Sequence, residues 1–91
     1  MEVSNDSDRN KFEKNVCNRN GQDGIFHYSS SNNTFGPGNT ANSNEYGIRF
    51  DGSNIKVIKN DFHCNTLGDI LDAGTGSTVI KNSTGPLPGC L

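Results

Sequence analysis

Residues 53–60 read SNIKVIKN, and residues 75–82, which lie 22 positions further along the chain, read TGSTVIKN. The valine of this motif belongs to a column of apolar residues that recurs at steps of 22 or 23 positions: Phe12, Phe35, Val57 and Val79. The same register predicts a second apolar column, made of Val3, Ile25, Ile48 and Ile70. A fixed period of about 20 to 50 residues is typical of solenoid proteins, whose repeats stack on one another.

Turn-forming residues recur with the same period. Three positions after the first apolar column stand Asn15, Gly38, Asn60 and Asn82. Asparagine amides at equivalent turns can bond to one another, so this column predicts an asparagine ladder. Because Gly38 has no side-chain amide, we expect the ladder to be broken or bulged within Gly36-Pro37-Gly38-Asn39. Five positions after the first column, four residues are expected to point inward: Cys17, Thr40, Phe62 and Thr84.

The short segments between these turns indicate strands, because helical repeats need longer apolar-periodic stretches and better helix formers. A period near 22 residues is too short for a propeller blade of roughly 40 residues and suits one coil of a parallel β-helix. We therefore predict an all-β, single-domain protein, a short parallel β-helix of about 3–4 coils with a period of about 22–23 residues. The coils are expected to span residues 1–82, and residues 83–91 to form an irregular C-terminal segment.

The composition argues against several classes of function. The 91 residues are 30% hydrophobic and carry a formal net charge of −2. This balance gives no bulk attraction to nucleic acid, and no apolar run is long enough to span a membrane. The three cysteines, Cys17, Cys64 and Cys90, are an odd number without C-x-x-C spacing, which argues against a disulfide framework and a zinc site. We expect no cofactor, no metal and no nucleic-acid partner.

The repeat resembles the right-handed parallel β-helix coils of pectate-lyase-like proteins and of periplasmic copper-loading proteins of the NosD type. The resemblance is carried by the Gly-Ile pairs at 24–25 and 47–48, by the looser 68–70 and by the two motifs quoted above, and it covers roughly residues 3 to 82. It implies right-handed coils and an extracellular or envelope location, as for a secreted protein, although the chain shows no signal peptide. It implies little about activity, since such coils carry lyases, hydrolases, epimerases and inert stalks.

Lysines dominate one predicted outward face. One outward column holds Lys14, Pro37, Lys59 and Lys81, and a second holds Lys11, Thr34, Lys56 and Thr78. Lysines stacked one coil apart repel each other unless an anion is nearby, and ammonium groups are good donors to carboxylates. The candidate ligands for an acidic polysaccharide are therefore Lys14, Lys56, Lys59 and Lys81. The alternative interpretation is a solvated, edge-protecting face with Glu13 and Asp61 as neighbours.

A second outward row contains Phe26, Arg49 and Leu71, with Tyr28, Asp51 and Ala73 in the next column. Arg49 and Tyr28 are candidate sugar ligands, because an aromatic ring beside polar groups can stack against a sugar ring; contact with another chain is an equal alternative. The inward column between these rows reads His27, Phe50 and Asp72. A buried His or Asp is costly unless satisfied, so we expect the strand to end there and these side chains to face solvent.

No cluster of carboxylates beside a base or metal stands out, so we assign no catalytic residue and favour a non-enzymatic interpretation. His63 and Cys64 are adjacent on a strand and point to opposite faces, which argues against a shared metal site. We expect a non-catalytic β-helical structural or binding module; the alternative is a remnant of a polysaccharide lyase, hydrolase or epimerase without its catalytic coils. Because Val3 already lies within a coil, we also expect missing N-terminal coils or end-to-end stacking.

Overall fold

The structure, a computed structural model, describes residues 1–4 and 6–86. The described residues form ten short strands: β1 (Glu2–Val3), β2 (Lys11–Phe12), β3 (Ile25–His27), β4 (Thr34–Phe35), β5 (Tyr46–Phe50), β6 (Lys56–Ile58), β7 (Asp61–His63), β8 (Gly68–Asp72), β9 (Thr78–Ile80) and β10 (Ser83–Gly85). Within the same ranges, no helix has the length and hydrophobicity needed to cross a bilayer. The all-β prediction is confirmed.

The strands pair in parallel and stack into a β-solenoid of about four turns. Sheet A has the order β1-β3-β5-β8, sheet B has the order β2-β4-β6-β9, and sheet C pairs β7 with β10. Isolated parallel bridges from Val16 to Thr40 and from Thr40 to Asp61 carry sheet C back to the first two coils. Each coil therefore passes through A, B and C in turn, as a parallel β-helix requires.

The predicted apolar columns are vertical stacks of side chains. In sheet B, paired Cα atoms follow the column Phe12, Phe35, Val57 and Val79. In sheet A they follow the column Ile25, Ile48 and Ile70. Stacked strands lie about 4.8 Å apart, and burying one such side chain contributes about 1.5–3 kcal/mol. A narrow apolar core therefore stabilises a chain of low overall hydrophobicity.

Val3 lies outside the Ile25 column. It pairs with His27, and Glu2 pairs with Phe26, so 24 residues rather than 22 separate Val3 from its partner. Val3 is nevertheless buried, because a shift of two residues keeps a side chain on the same face of a strand. The predicted register was wrong by two positions because the first coil contains extra loop residues.

An unbroken asparagine ladder lies inside the corner between sheets B and C. Asn15 Nδ2 donates to Asn39 Oδ1 at 3.0 Å, and Asn39 Nδ2 donates to Asn60 Oδ1 at 2.9 Å. Asn60 Nδ2 in turn donates to Asn82 Oδ1 at 3.0 Å. The ladder is therefore bulged in the second coil, as one of the two predicted outcomes, and it is not broken, because Asn39 takes the place of Gly38 there.

The Gly36-Pro37-Gly38 segment absorbs the extra residue that brings Asn39 into the ladder. Gly36 has a φ of 130° and Gly38 a φ of 85°, values that residues with a Cβ adopt only at a cost. A Cβ on Gly36 would lie 1.8 Å from the carbonyl oxygen of Ile58 in the next coil. Glycine is thus required where the bulge packs against its neighbour.

The same bulge changes the inward column that follows the ladder. Ala41, which is fully buried, takes the inward position predicted for Thr40, while Thr40 forms the sheet C bridges. The extra residue shifts the positions from Asn39 to Asn44 by one, and the register is restored by Ile48, which still pairs with Ile25. A shift of one reverses the face of a strand residue.

The pattern continues beyond residue 82. Ser83–Gly85 form β10, which pairs in parallel with β7, so the irregular segment predicted over 83–91 does not begin at residue 83. The backbone of these residues finds hydrogen-bond partners in the coil before it, which favours a strand over an irregular turn. The rest of that predicted segment, residues 87–91, lies outside the described residues.

The corners that precede ladder asparagines contain left-handed residues. At the corner between B and C, φ is 57°, 85°, 58° and 57° at Lys14, Gly38, Lys59 and Lys81. At the corner between C and A, the equivalent left-handed residues are Arg19, Ser43 and Cys64. They precede a second ladder, in which the side-chain oxygen of one asparagine accepts from the backbone N–H of another: Asn44 Oδ1 from Asn20 N, and Asn65 Oδ1 from Asn44 N. One left-handed residue turns the chain sharply, and the next side chain then points inward and bonds to the adjacent coil.

Candidate functional site

Five lysines lie on sheet B and on the corner that follows it. We call this surface the lysine face: Lys11, Lys14, Lys56, Lys59 and Lys81. All five side chains are exposed. The register of sheet B places Lys11 over Thr34, Thr34 over Lys56, and Lys56 over Thr78, as the sequence predicts. These residues point outward because their neighbours Phe35 and Val57 occupy the core.

The corner lysines form the second column of this face. Lys14, Lys59 and Lys81 share the left-handed position before a ladder asparagine. Gly38, rather than the predicted Pro37, occupies this position in the second coil, where a Cβ would lie 3.4 Å from Lys14 Cγ. Lys59 and Lys81 therefore stand one coil apart, or about 4.8 Å between their backbones.

Two shallow grooves cross the lysine face. The larger has a volume of about 320 Å³ and is lined by Asn32, Thr34, Asn54, Lys56, Gly76 and Thr78. The smaller has a volume of about 210 Å³ and is lined by Lys11, Thr34, Gly36, Pro37, Ile58 and Lys59. The first offers amide, hydroxyl and ammonium groups, and the second adds an apolar patch beside an ammonium group.

Most lysines of the lysine face form no ion pair with the described residues. Lys11 Nζ lies 4.0 Å from Glu13 Oε2, and both side chains are about half exposed. In residues 1–4 and 6–86, the other four lysines form no ion pair, so Asp61 does not provide the pairing that the solvated alternative invoked. Among the described residues, the lysine face thus concentrates unpaired positive charge in a chain with a net charge of −2.

Arg49 and Tyr28 lie on a different surface, the outward side of sheet A. Arg49 pairs with Phe26 in one direction and with Leu71 in the other, as predicted. Its Nε and Nη2 atoms both lie 2.9 Å from Asp23 Oδ2, and its guanidinium carbon lies 4.3 Å from the centroid of the Phe26 ring. An ion pair and a cation–π contact together fix the position of this side chain.

Tyr28 stacks on Phe26, the same ring that Arg49 contacts. Its ring centroid is 4.9 Å from that of Phe26, in a stacked arrangement, and its hydroxyl donates to Glu2 Oε1 at 3.2 Å. The structure therefore brings Arg49 and Tyr28 together around Phe26, and it keeps both apart from the lysines of sheet B.

His27 is fully buried, so the prediction that it faces solvent was wrong. Its Nδ1 donates to Asp51 O at 3.0 Å, and its Nε2 accepts from Asn33 Nδ2 at 2.9 Å. Both ring nitrogens are satisfied, which removes most of the cost of burial. Burial lowers the pKa of His27 below its ordinary value, because desolvation outweighs the favourable fields of Asp51 and Asp8.

The other two residues of that inward column behave differently from each other. The prediction that the strands end at this column is confirmed, since β3, β5 and β8 end at His27, Phe50 and Asp72. Phe50 is nevertheless buried. Asp72 is exposed, as predicted, and its Oδ1 accepts hydrogen bonds from Gly74 N and Ser77 Oγ. The buried part of this column therefore consists of a satisfied imidazole and a phenyl ring, and in the last coil its side chain faces solvent.

His63 and Cys64 do not form a shared metal site. His63 is buried, and its ring nitrogens contact Gly85 O at 3.0 Å and Ser83 Oγ at 2.9 Å. Cys64 is disulfide-bonded, whereas Cys17 is a free thiol. The spacing argument against a disulfide framework therefore does not extend to Cys64, because thiol pairing depends on distance in space and not on spacing along the chain.

Sequence reasoning missed one cavity beside Arg49. We call it the sheet A pocket; it has a volume of about 330 Å³ and is lined by Phe26, His27, Arg49, Phe50, Asp51, Leu71 and Ala73. Its outward residues were identified as a row, but the contact of Arg49 with Asp23, which fixes one wall of the cavity, is revealed by no pattern in the sequence. The described residues contain no group of three or more His, Cys, Asp or Glu side chains that could hold a metal ion.

Comparison with known proteins identifies the repeat. A profile of the family described as "Periplasmic copper-binding protein (NosD)" matches residues 3–84. Comparisons with curated proteins and with solved structures gave no match. The family match spans every coil described above, including both asparagine ladders and the lysine face. This chain therefore belongs to the NosD family of parallel β-helix proteins.

Proposed function

We propose that this chain is a non-catalytic β-helical binding module of the cell envelope that binds an acidic polysaccharide along its lysine face. The observation that carries the proposal is the parallel register of sheet B. It places Lys11 and Lys56 in one column, with Thr34 between them. It also places Lys59 and Lys81 in neighbouring coils of a second column, at the corner that follows the sheet. An envelope location is supported by the periplasmic description of the family.

The geometry of the lysine face suits an extended polyanion. Four of its lysines have no ion-pair partner among the described residues, so a carboxylate-bearing ligand meets ammonium groups that are not already neutralised. The columns run along the solenoid axis, so successive sugar units can meet successive coils. Repulsion between lysines one coil apart, about 1 kcal/mol or less in water, is relieved when an anion lies between them.

The grooves add neutral contacts to this charge. The larger groove presents the amides of Asn32 and Asn54 and the hydroxyls of Thr34 and Thr78 beside Lys56. Amides and hydroxyls both donate and accept hydrogen bonds, as sugar hydroxyls do. The combination favours a polysaccharide over a simple anion, which would need only the ammonium groups.

Copper, which the family description names, does not fit the described residues. Copper sites are built from converging His, Cys or Met ligands, whereas both imidazoles here are buried and fully hydrogen-bonded. Cys64 is disulfide-bonded, and no cluster of three potential ligands occurs in residues 1–4 and 6–86. The proposal therefore rests on the lysine face and involves no metal.

Polygalacturonate and its methyl-esterified, neutral form are the probes that test the proposal, with affinities measured by isothermal titration calorimetry. We expect saturable binding of the charged polymer only, weakening as salt rises, because exposed ion pairs are screened. Changing Lys56→Gln together with Lys59→Gln should weaken binding by about fivefold, since each exposed pair contributes about 0.2–1 kcal/mol.

Arg19→Gln is the matched control, because it removes one exposed positive charge at the corner between sheets C and A. We expect it to bind polygalacturonate like the wild type, while Lys56→Gln alone is measurably weaker. Equal binding by the lysine double variant and the wild type would contradict the proposal. Equal binding of the esterified polymer would do so as well.

A further inference from the structure

We propose that the sheet A pocket is a second ligand site, which binds the ring of a neutral hexose within a glycan. The pocket lies on a different sheet from the lysine face, so this proposal does not depend on the acidic-polysaccharide proposal above. Its volume of about 330 Å³ is within the lower range of small-ligand sites.

The floor of the pocket is apolar. Phe26, Leu71 and Ala73 contribute carbon atoms to its lining, and Leu71 is 36% exposed. A pyranose ring has one face of C–H groups that packs against such a surface, while its hydroxyl groups project around the rim. A simple anion or a metal ion would leave this apolar floor without a partner.

The rim of the pocket supplies one fixed donor. Arg49 uses Nε and Nη2 to bond to Asp23 Oδ2, and its guanidinium lies on the Phe26 ring. Its Nη1 atom donates to no acceptor among the described residues. The remaining N–H groups are therefore held in position at no further entropic cost when a hydroxyl oxygen arrives.

The rim also supplies one acceptor. Asp51 is exposed, and its Oδ1 accepts from Ser29 N at 3.1 Å, while its Oδ2 accepts no hydrogen bond from the described residues. The fixed Oδ1 contact orients the carboxylate, and Oδ2 can accept from a sugar hydroxyl. Because the guanidinium of Arg49 is paired with Asp23, the pocket offers no uncompensated positive charge, which favours a neutral ring over an acidic one.

Nuclear magnetic resonance of the ¹⁵N-labelled full chain, titrated with linear hexasaccharides of glucose, mannose and galactose, tests the proposal. For at least one of the three, we expect saturable shift changes centred on the amides of Phe26, Arg49, Asp51 and Leu71. The absence of saturable shifts at these amides with all three sugars would overturn the proposal.

Two pocket variants and one control variant make the test specific. Leu71→Ser removes apolar floor and should weaken binding by about tenfold, whereas Leu67→Ser, at a position 61% exposed and outside the pocket, should bind like the wild type. Asp51→Asn keeps an oxygen for Ser29 N and should weaken binding by about fivefold. Thermal melting of each variant confirms that it is folded.

The two proposed sites can fail separately. The Lys56→Gln/Lys59→Gln variant should bind the neutral hexasaccharide like the wild type, and Leu71→Ser should bind polygalacturonate like the wild type. Neutral-sugar binding that survives Leu71→Ser and Asp51→Asn at full affinity would place the ligand elsewhere and overturn the pocket assignment.

Discussion

Two corners of the solenoid bury polar side chains in different ways. At the corner between sheets B and C, every coil supplies an asparagine, and each amide bonds to the next. At the corner between sheets A and B, Asn10 N bonds to Asn33 Oδ1 at 2.8 Å, but the equivalent residue of the third coil is the fully buried Ile55. His27, which belongs to sheet A, then supplies the partner that Asn33 lacks.

The comparison shows that the type of buried side chain determines which change, in geometry or in pH, destabilises each corner. The corner between B and C is uniform, so its hydrogen bonds contain no titratable group and each depends on the spacing of the coils. The corner between A and B is mixed, since it contains asparagine, isoleucine and a neighbouring histidine. The buried amide of Asn33 therefore keeps one of its hydrogen-bond acceptors only while the His27 imidazole is neutral. The first is sensitive to geometry and the second to pH.

Gly36→Ala should break the uniform corner with the largest effect. The added Cβ would meet Ile58 O at 1.8 Å in a backbone conformation unfavourable for alanine, so the bulge must move and Asn39 must leave the ladder. We expect the free energy of unfolding, measured by urea denaturation, to fall by about 3 kcal/mol or more. Gly21→Ala is the control, because no atom lies within 4 Å of its added Cβ, and it should change stability by less than about 0.5 kcal/mol.

Asn60→Ala should have the next largest effect. Asn60 Oδ1 accepts from both the backbone N and the Nδ2 of Asn39, and its Nδ2 donates to Phe35 O at 2.9 Å, so the substitution leaves several buried groups unpaired. We expect a loss of about 2–3 kcal/mol in urea denaturation. Asn15→Ala, at the end of the same ladder, should cost about 1 kcal/mol. Equal losses at the two positions would contradict the role assigned to the ladder interior.

Acidification should weaken the mixed corner, with a smaller effect. Because burial lowers the pKa of His27, the unfolded chain binds more protons than the folded chain as pH falls below the ordinary value near 6.5. Stability is therefore full above about pH 6.5 and falls as pH decreases toward the lowered pKa. Protonation would also place an N–H of His27 against the amide N–H of Asn33.

Urea midpoints measured between pH 7 and pH 5.5 check this prediction, since most carboxylates remain ionised there. His27→Phe is the control: it fills the same space without titrating, and its midpoint should change less over this interval. A wild-type midpoint that is independent of pH, or a His27→Phe midpoint with the same slope, would show that the imidazole does not control this corner.

The sequence predicted the parts of the fold that depend on spacing. The 22-residue step placed Phe35 over Val57 and Ile48 over Ile70, because a constant spacing between inward residues along the chain determines which strand residues pair. It also identified the lysine columns, since outward residues alternate with these core positions. The same argument failed where one residue was added, at Gly36-Pro37-Gly38, because spacing alone does not say which loop residue is extra.

The remaining errors concern partners that are distant in the chain. His27 was expected to face solvent, because the acceptor Asp51 O and the donor Asn33 Nδ2 that satisfy it come from other parts of the coils. The sheet A pocket was missed for a similar reason, since Arg49 reaches Asp23 across 26 positions. Whether a polar side chain can be buried depends on the hydrogen-bond partners it meets in space. The period of the sequence shows only which residues share a column.

The parallel register has a consequence for the length of the molecule. Ser53 bridges Thr75 one period later, so a second copy of residues 53–74 inserted after Gly74 would begin and end at equivalent points of the coil. Such a duplication would extend the protein by about 4.8 Å and add one asparagine to each ladder. It would also add copies of Lys56 and Lys59 to the lysine face, so the number of charges on that face grows in step with the number of coils.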